Sequence, residues 1–187
     1  MNAVLGAMVA IVIGVLLLAQ EDGGVLDTIG DAFDMLTSTE EDRLARLEPG
    51  TQQMVRQLIA EALAAGIRLH IGQTLRTPAE EKAVIAGGKS AVKTHSWHEL
   101  GRAVDLYPDY AGRPDYDAVD LESYRRFHSI ATTLGFRSLA FNDDGTKHLI
   151  TNAQGKKIWD GGHVEWRSPY GSIAEAVAAE GSAYGIA

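Results

Sequence analysis

His98, Asp105 and His163 are the three side chains whose types and spacing can do chemistry together. His98 and Asp105 stand seven residues apart in Ser96-Trp97-His98-Glu99-Leu100-Gly101-Arg102-Ala103-Val104-Asp105, and His163 follows in Asp160-Gly161-Gly162-His163-Val164-Glu165-Trp166. Two imidazoles and one carboxylate suit a catalytic Zn2+, which keeps a fourth position open for water. A closed structural site would want a fourth ligand, usually sulfur. The chain has no cysteine, so thiolate metal sites, disulfides and cysteine nucleophiles are all excluded. Asp160, three residues before His163, stands where a general base could reach the water without being a ligand. Glu165, two residues after His163, is its rival, because strand alternation puts it on the same face as His163.

A turn must bring the first two ligands together, and Gly101 between them permits it, while Ala103 leaves room beside the metal. His95 and Ser96, just before His98, are candidate contacts for a substrate or for the far side of a ligand, and Glu165 joins them as a substrate-contact candidate. His70, His128 and His148 lack partners at ligand spacing and read as structural or surface histidines.

The pattern Ser-x-His-x-x-Gly-x-Ala-x-Asp, with a distant acid-x-x-His, resembles the zinc D-alanyl-D-alanine carboxypeptidases and L-alanyl-D-glutamate endopeptidases that cut peptidoglycan stem peptides. The resemblance rests on Ser96, His98, Gly101, Ala103, Asp105, Asp160 and His163, and on Leu75-Arg76-Thr77-Pro78, where such enzymes carry a substrate-facing arginine. It spans residues 43–168. Leu75 departs from the aromatic usual at that place. The resemblance implies a hedgehog/D-Ala-D-Ala-peptidase-like fold, Zn2+ on His98, Asp105 and His163, Asp160 as base, and Arg76 near the reacting groups. Aspartate rather than glutamate before the last histidine points to the endopeptidase branch, typical of phage endolysins. A D,D-carboxypeptidase or dipeptidase of wall remodelling is the near alternative. A non-catalytic zinc-bearing wall-binding or virion module is the alternative of another class, and the retained Asp160 argues against it.

At 187 residues and 45% hydrophobic content, the chain can bury one core and hardly two. The net charge of -8 is concentrated at the start: residues 1–42 hold eight acids and no Lys or Arg, which leaves 17 acids against 17 bases in the remainder. A nearly neutral remainder has none of the clustered basic charge that nucleic-acid binding requires.

Residues 3–19 are an unbroken apolar run of 17 residues, the lower limit for a helix that crosses a bilayer core. The expectation is a membrane or signal-anchor helix over 1–22, with the domain behind it exported and facing the cell wall or periplasm. Its Gly and Ala content resembles the signal-anchor-release segments of phage endolysins, whereas the missing positive n-region argues against a cleaved signal peptide. Residues 23–38 read as an acidic amphipathic linker helix, with Asp27, Asp31 and Asp34 opposite Leu26, Ile29 and Phe33.

The peptidase domain is expected over 39–187, its first helix capped near Thr39. Apolar spacing predicts helices over 54–63 and 124–134 and a short one over 172–179. Thr77-Pro78-Ala79-Glu80 is a capping box, so a helix should run from there to Gly87. Strands are expected at 67–71, 103–107 and 164–167, with a hairpin of 148–151 and 156–159. The sum is an α+β domain: a small, mainly antiparallel sheet flanked by helices.

Overall fold

The computed structural model describes residues 38–90, 92, 94–152 and 154–186. The expected apolar helix over 1–22 and nearly all of the acidic linker over 23–38 lie outside the described residues. Among the described residues no helix is long and apolar enough to cross a membrane.

Helix α1 (Ser38–Leu44) starts one residue before the expected cap at Thr39. Helix α2 (Pro49–Ala64) begins five residues earlier than its apolar spacing shows. The reason is its cap: the Glu48 carboxylate accepts from the backbone N–H of Gly50 and Thr51 at 3.0 and 2.8 Å, and Pro49 fits the first helical position. Strand β1 (Leu69–Ile71) follows, then helix α3 (Pro78–Ala86), which carries the expected capping box between Thr77 and Glu80. A 3-10 turn (Trp97–Leu100) leads into β2 (Ala103–Tyr110) and the two-residue β3 (Arg113–Pro114). Helix α4 (Leu121–Thr133) precedes β4 (Arg137–Ser138), the hairpin β5 (Leu149–Thr151) and β6 (Lys157–Trp159), and β7 (His163–Glu165). Helix α5 (Ile173–Glu180) and a second 3-10 turn (Gly181–Tyr184) follow.

The main sheet has the order β1-β2-β7-β4, with β3 paired to the far end of β2, and every pairing is antiparallel; β5 and β6 pair apart from it. This is the expected α+β arrangement. Alternation along β2 splits its neighbours between two faces. Val104 and Leu106, with Val164 of β7, face a core built with Val55, Leu58, Tyr124 and Phe127 of α2 and α4. Each such large apolar side chain contributes roughly 1.5–3 kcal/mol by burial, so this face anchors the sheet. Ala103 faces the other way, into a smaller cluster with Trp97, Leu100 and Ala176. Asp105, two residues on from Ala103, shares that second face.

Several bounds differ from the sequence expectation: α2 and α4 start earlier, β1 is confined to Leu69–Ile71, and β2 runs on to Tyr110. Strand β7 starts at His163 rather than Val164, so the last candidate ligand sits in the ladder instead of before it. Strands β3 and β4 have two residues each, too few to show a period of two.

Candidate metal centre

Backbone register brings the three candidate ligands together. Asp105 and His163 are directly opposed on β2 and β7. Their side chains therefore leave the sheet on one face as neighbours. His98 comes from the 3-10 turn, which ends at Gly101 in the left-handed region (φ +63°). A Cβ on Gly101 would stand 2.9 Å from the backbone nitrogen of Glu48, whose N–H donates to the Gly101 carbonyl at 3.0 Å. Positive φ and this close approach both require glycine.

His98 Nε2, His163 Nδ1 and Asp105 Oδ1 form a nearly equilateral triangle with edges of 3.1, 3.1 and 3.2 Å. Tetrahedral bonds of about 2.0–2.1 Å to a shared ion would set donor atoms about 3.3 Å apart, within a few tenths of these edges. The outer partners fix which ring atoms carry hydrogen. His98 Nδ1 donates to the Thr74 carbonyl at 2.7 Å, and His163 Nε2 donates to Glu165 Oε1 at 3.2 Å. In the neutral rings the two inner nitrogens are then lone pairs aimed at each other and at a carboxylate oxygen. A proton on His163 Nδ1 or a metal ion between the three atoms relieves that arrangement, and the three residues form a group able to hold a metal ion.

The electrostatics agree. Burial alone would raise the Asp105 carboxyl, yet His98 and His163 beside it hold it well below the usual carboxylate range. Burial alone would lower His163, but its hydrogen bonds to Asp105 and Glu165 and the nearby Asp160 raise it well above an ordinary histidine. Carboxylates here favour positive charge at the centre of the triangle. The second oxygen of Asp105 is held by Arg76, whose Nη2 lies 3.3 Å from Oδ2 while its Nη1 lies 3.0 Å from the buried Glu81.

The triangle opens into a cavity of about 700 Å³. Asp160 lines it, and burial together with the charge of Asp105 raises its carboxyl above the usual value, against the opposing pull of His163. The loop carrying Asp160 is held from behind: buried His128 Nε2 donates to the Gly161 carbonyl at 2.6 Å, and a Cβ on Gly161 would fall 2.2 Å from the Trp159 ring. Ser96 and His95 also line the cavity; the Ser96 hydroxyl is buried without a hydrogen-bond partner, and His95 Nδ1 stands 3.5 Å from Glu99.

Glu165 is placed differently from Asp160. Its Oε1 takes the His163 hydrogen bond, and its Oε2 accepts from Arg167 at 2.6 Å and lies 3.6 Å from Arg137. Arg76 reaches Asp105 and lines the cavity. His70 bonds Glu40 and Asp109, His128 bonds Gly161 and Ser138, and His148 bonds the Leu139 carbonyl; all three stand outside the cavity lining. The sequence reading did not single out the Thr74 carbonyl, Glu81, Arg137 or Arg167. Thr74 acts through its backbone, which no side-chain motif marks, and the others are single charges far from His98 in sequence.

No protein-family model and no curated protein matches the sequence. Among solved structures, the L-Ala D-Glu endopeptidase ChiX of Serratia marcescens superposes with a TM-score of 0.50 at 18% identity, over 70% of this chain and 87% of its own. This chain has the fold of that endopeptidase. The vancomycin resistance D,D-pentapeptidase VanY from a VanB-type cassette, in complex with Zn(II), aligns at a TM-score of 0.45 and 18% identity over 74% of this chain and 83% of its own. The vancomycin resistance D,D-dipeptidase VanXYg, in complex with a D-Ala-D-Ala phosphinate analogue, aligns at 0.42 and 18% over 74% of this chain and 58% of its own.

Proposed function

We propose that this protein is a zinc-dependent peptidase that hydrolyses peptidoglycan stem peptides, acting as an L-alanyl-D-glutamate endopeptidase. The observation that carries the reading is the His98–Asp105–His163 triangle, with both ring tautomers fixed so that lone pairs point inward. Two imidazoles and a carboxylate suit zinc, and the fold shared with an L-Ala D-Glu endopeptidase supports a peptide substrate. When bound, the ion supplies a Lewis acid for the scissile carbonyl and acidifies a water.

The chain's own residues supply the remaining steps. Asp160, on the cavity wall with its carboxyl raised by burial, takes the proton of the attacking water and passes it to the leaving amine. Arg76 keeps the Asp105 carboxylate oriented and adds positive charge where negative charge develops on the substrate oxygen. Ser96 offers its unpartnered hydroxyl to the substrate backbone. Thr74 and Glu165 hold the two rings in the tautomers that leave the inner nitrogens free.

The apolar run over 3–19 supports a membrane-tethered or exported enzyme facing the wall, as a phage-type lysin would be. The test is mass spectrometry of muropeptides released from sacculi by the zinc-loaded protein. Cleavage between L-Ala and D-Glu is expected. Loss of terminal D-Ala alone would make the enzyme a D,D-carboxypeptidase, and binding of sacculi without any cleavage by zinc-loaded protein would refute the hydrolytic reading.

A further inference from the structure

The cavity around the triangle carries a charge opposite to that of the whole chain. Among the described residues that line it, Arg43, Arg76, Lys89, Arg137 and Arg167 set five cations against the carboxylates Asp105, Asp160 and Glu165, with Glu81 behind Arg76 as a fourth. The chain as a whole is at -8. Such an excess within a concave site focuses a positive potential on whatever enters, and a bound divalent ion adds to it.

Two of these cations are built into one place. Arg167 donates from Nε to Glu165 Oε2 at 2.6 Å, with its Nη2 at 2.6 Å from the same oxygen, and Arg137 Nη1 lies 3.6 Å from it. Glu165 thus neutralises one of the two guanidiniums while its other oxygen holds His163. Arg167 is further fixed over the Trp97 ring, its guanidinium carbon 5.2 Å from the centroid. The Arg137 side chain remains 43% exposed beside the cavity, with donors left over. The guanidinium donors that Glu165 does not use match the acceptor geometry of a second carboxylate.

The structure assigns Arg137 and Arg167 as a subsite for a carboxylate of the peptide substrate. This deepens, and rests on, the peptidase reading above. Glu165 links the pair to the triangle, one of its oxygens meeting both guanidiniums and the other the His163 ring. The substrate class is an acidic peptide whose carboxylate is free, not amidated, since an amide offers the pair no negative charge.

The experiment measures binding and cleavage separately. Zinc-loaded full-length protein is titrated by calorimetry with a synthetic stem tripeptide, L-Ala-γ-D-Glu-meso-diaminopimelate, carrying either free or amidated carboxylates. The free-acid peptide is expected to bind about tenfold tighter or more, as one or two charge-assisted hydrogen bonds supply. In Arg137→Gln the ratio should fall with zinc content unchanged, and in Arg137→Gln/Arg167→Gln, compared at equal zinc occupancy, it should approach one. Arg137→Gln alone touches the Glu165 contact least, so a folding defect in the double variant leaves the inference testable. Equal affinity for the two peptides in the unaltered protein, including no measurable binding of either, overturns the subsite, as does a preference that survives in both variants. Cleavage is read from the same samples. A preference without cleavage would remove the hydrolytic reading and keep the subsite, and cleavage without a preference would do the reverse.

Discussion

Protonation of His128 should destabilise the loop that carries Asp160 and His163, and the size of the effect follows from the structure. His128 is buried in α4, donates from Nε2 to the Gly161 carbonyl, and has the Ser138 hydroxyl 2.6 Å from its Nδ1. Burial pushes its pKa down to about 4 from an ordinary 6.5, with the Gly161 bond opposing and the charge of His163 adding to the fall. A histidine lowered in the folded state binds its proton more readily when unfolded. Stability is therefore fully present above pH 6.5 and is lost as the pH falls from there toward 4. The 2.5-unit gap between 6.5 and about 4 corresponds to about 3 kcal/mol when complete, of which about 2 kcal/mol should be gone between pH 7 and pH 5. Other groups titrate in the same window, so the informative quantity is the difference from His128→Gln, which cannot take up the proton. Urea unfolding of both proteins at pH 7 and pH 5, in the same metal state, should show the gap between them change by about 2 kcal/mol in favour of the variant. A gap that does not move with pH would refute the claim that His128 is held neutral by burial.

Glu165→Ala should weaken zinc binding by about 10–100-fold, because His163 loses the partner that fixes its tautomer; competition with a chromophoric chelator reads this directly, and an unchanged affinity would release Glu165 from that role. Asp160→Asn should keep its zinc and lose about 10²–10⁴-fold in turnover of sacculi, measured by released muropeptides; full activity would place the base elsewhere. Arg102→Met should cost about 1–3 kcal/mol in urea unfolding, since buried Arg102 joins Glu180 of α5 at 2.9 Å and the Ser168 carbonyl at 2.7 Å; its loss strands the carbonyl and leaves Glu180 with the Tyr170 hydroxyl and water. A loss below about 0.5 kcal/mol would show that α5 is held by its apolar face alone.

Where local chemistry decides an element, the sequence was readable. Thr77-Pro78-Ala79-Glu80 names its own helix start, because the capping box is completed within four residues. The apolar faces of α2 and α4 follow from spacing alone, and the hairpin β5–β6 follows from two short strands around a turn. What stayed hidden depends on partners distant in sequence. Glu48 caps α2 as a glutamate, a type not usually read as a cap, and its carboxylate also lies 3.8 Å from Arg102. Strands β3 and β4 exist only because β2 and β7 offer them an edge. The candidate ligands were visible as residue types, but the Thr74 carbonyl behind His98 and the two arginines behind Glu165 become apparent only when β1, β4 and β7 are assembled.

The centre is therefore a property of register as much as of residue type. Asp105 opposes His163 and Ala103 opposes Glu165 across the β2–β7 ladder. A slip of one residue would turn His163 and Glu165 to the face packed by α2 and α4, where Val164 now sits, and would bury two polar side chains in an apolar core. Val104, Leu106 and Val164 oppose that slip, because moving them to the cavity face would forfeit their burial. The apolar residues between the ligands thus help to position them: they fix which face each ligand occupies before any metal arrives, and Thr74 and Glu165 then fix which atom each ring presents.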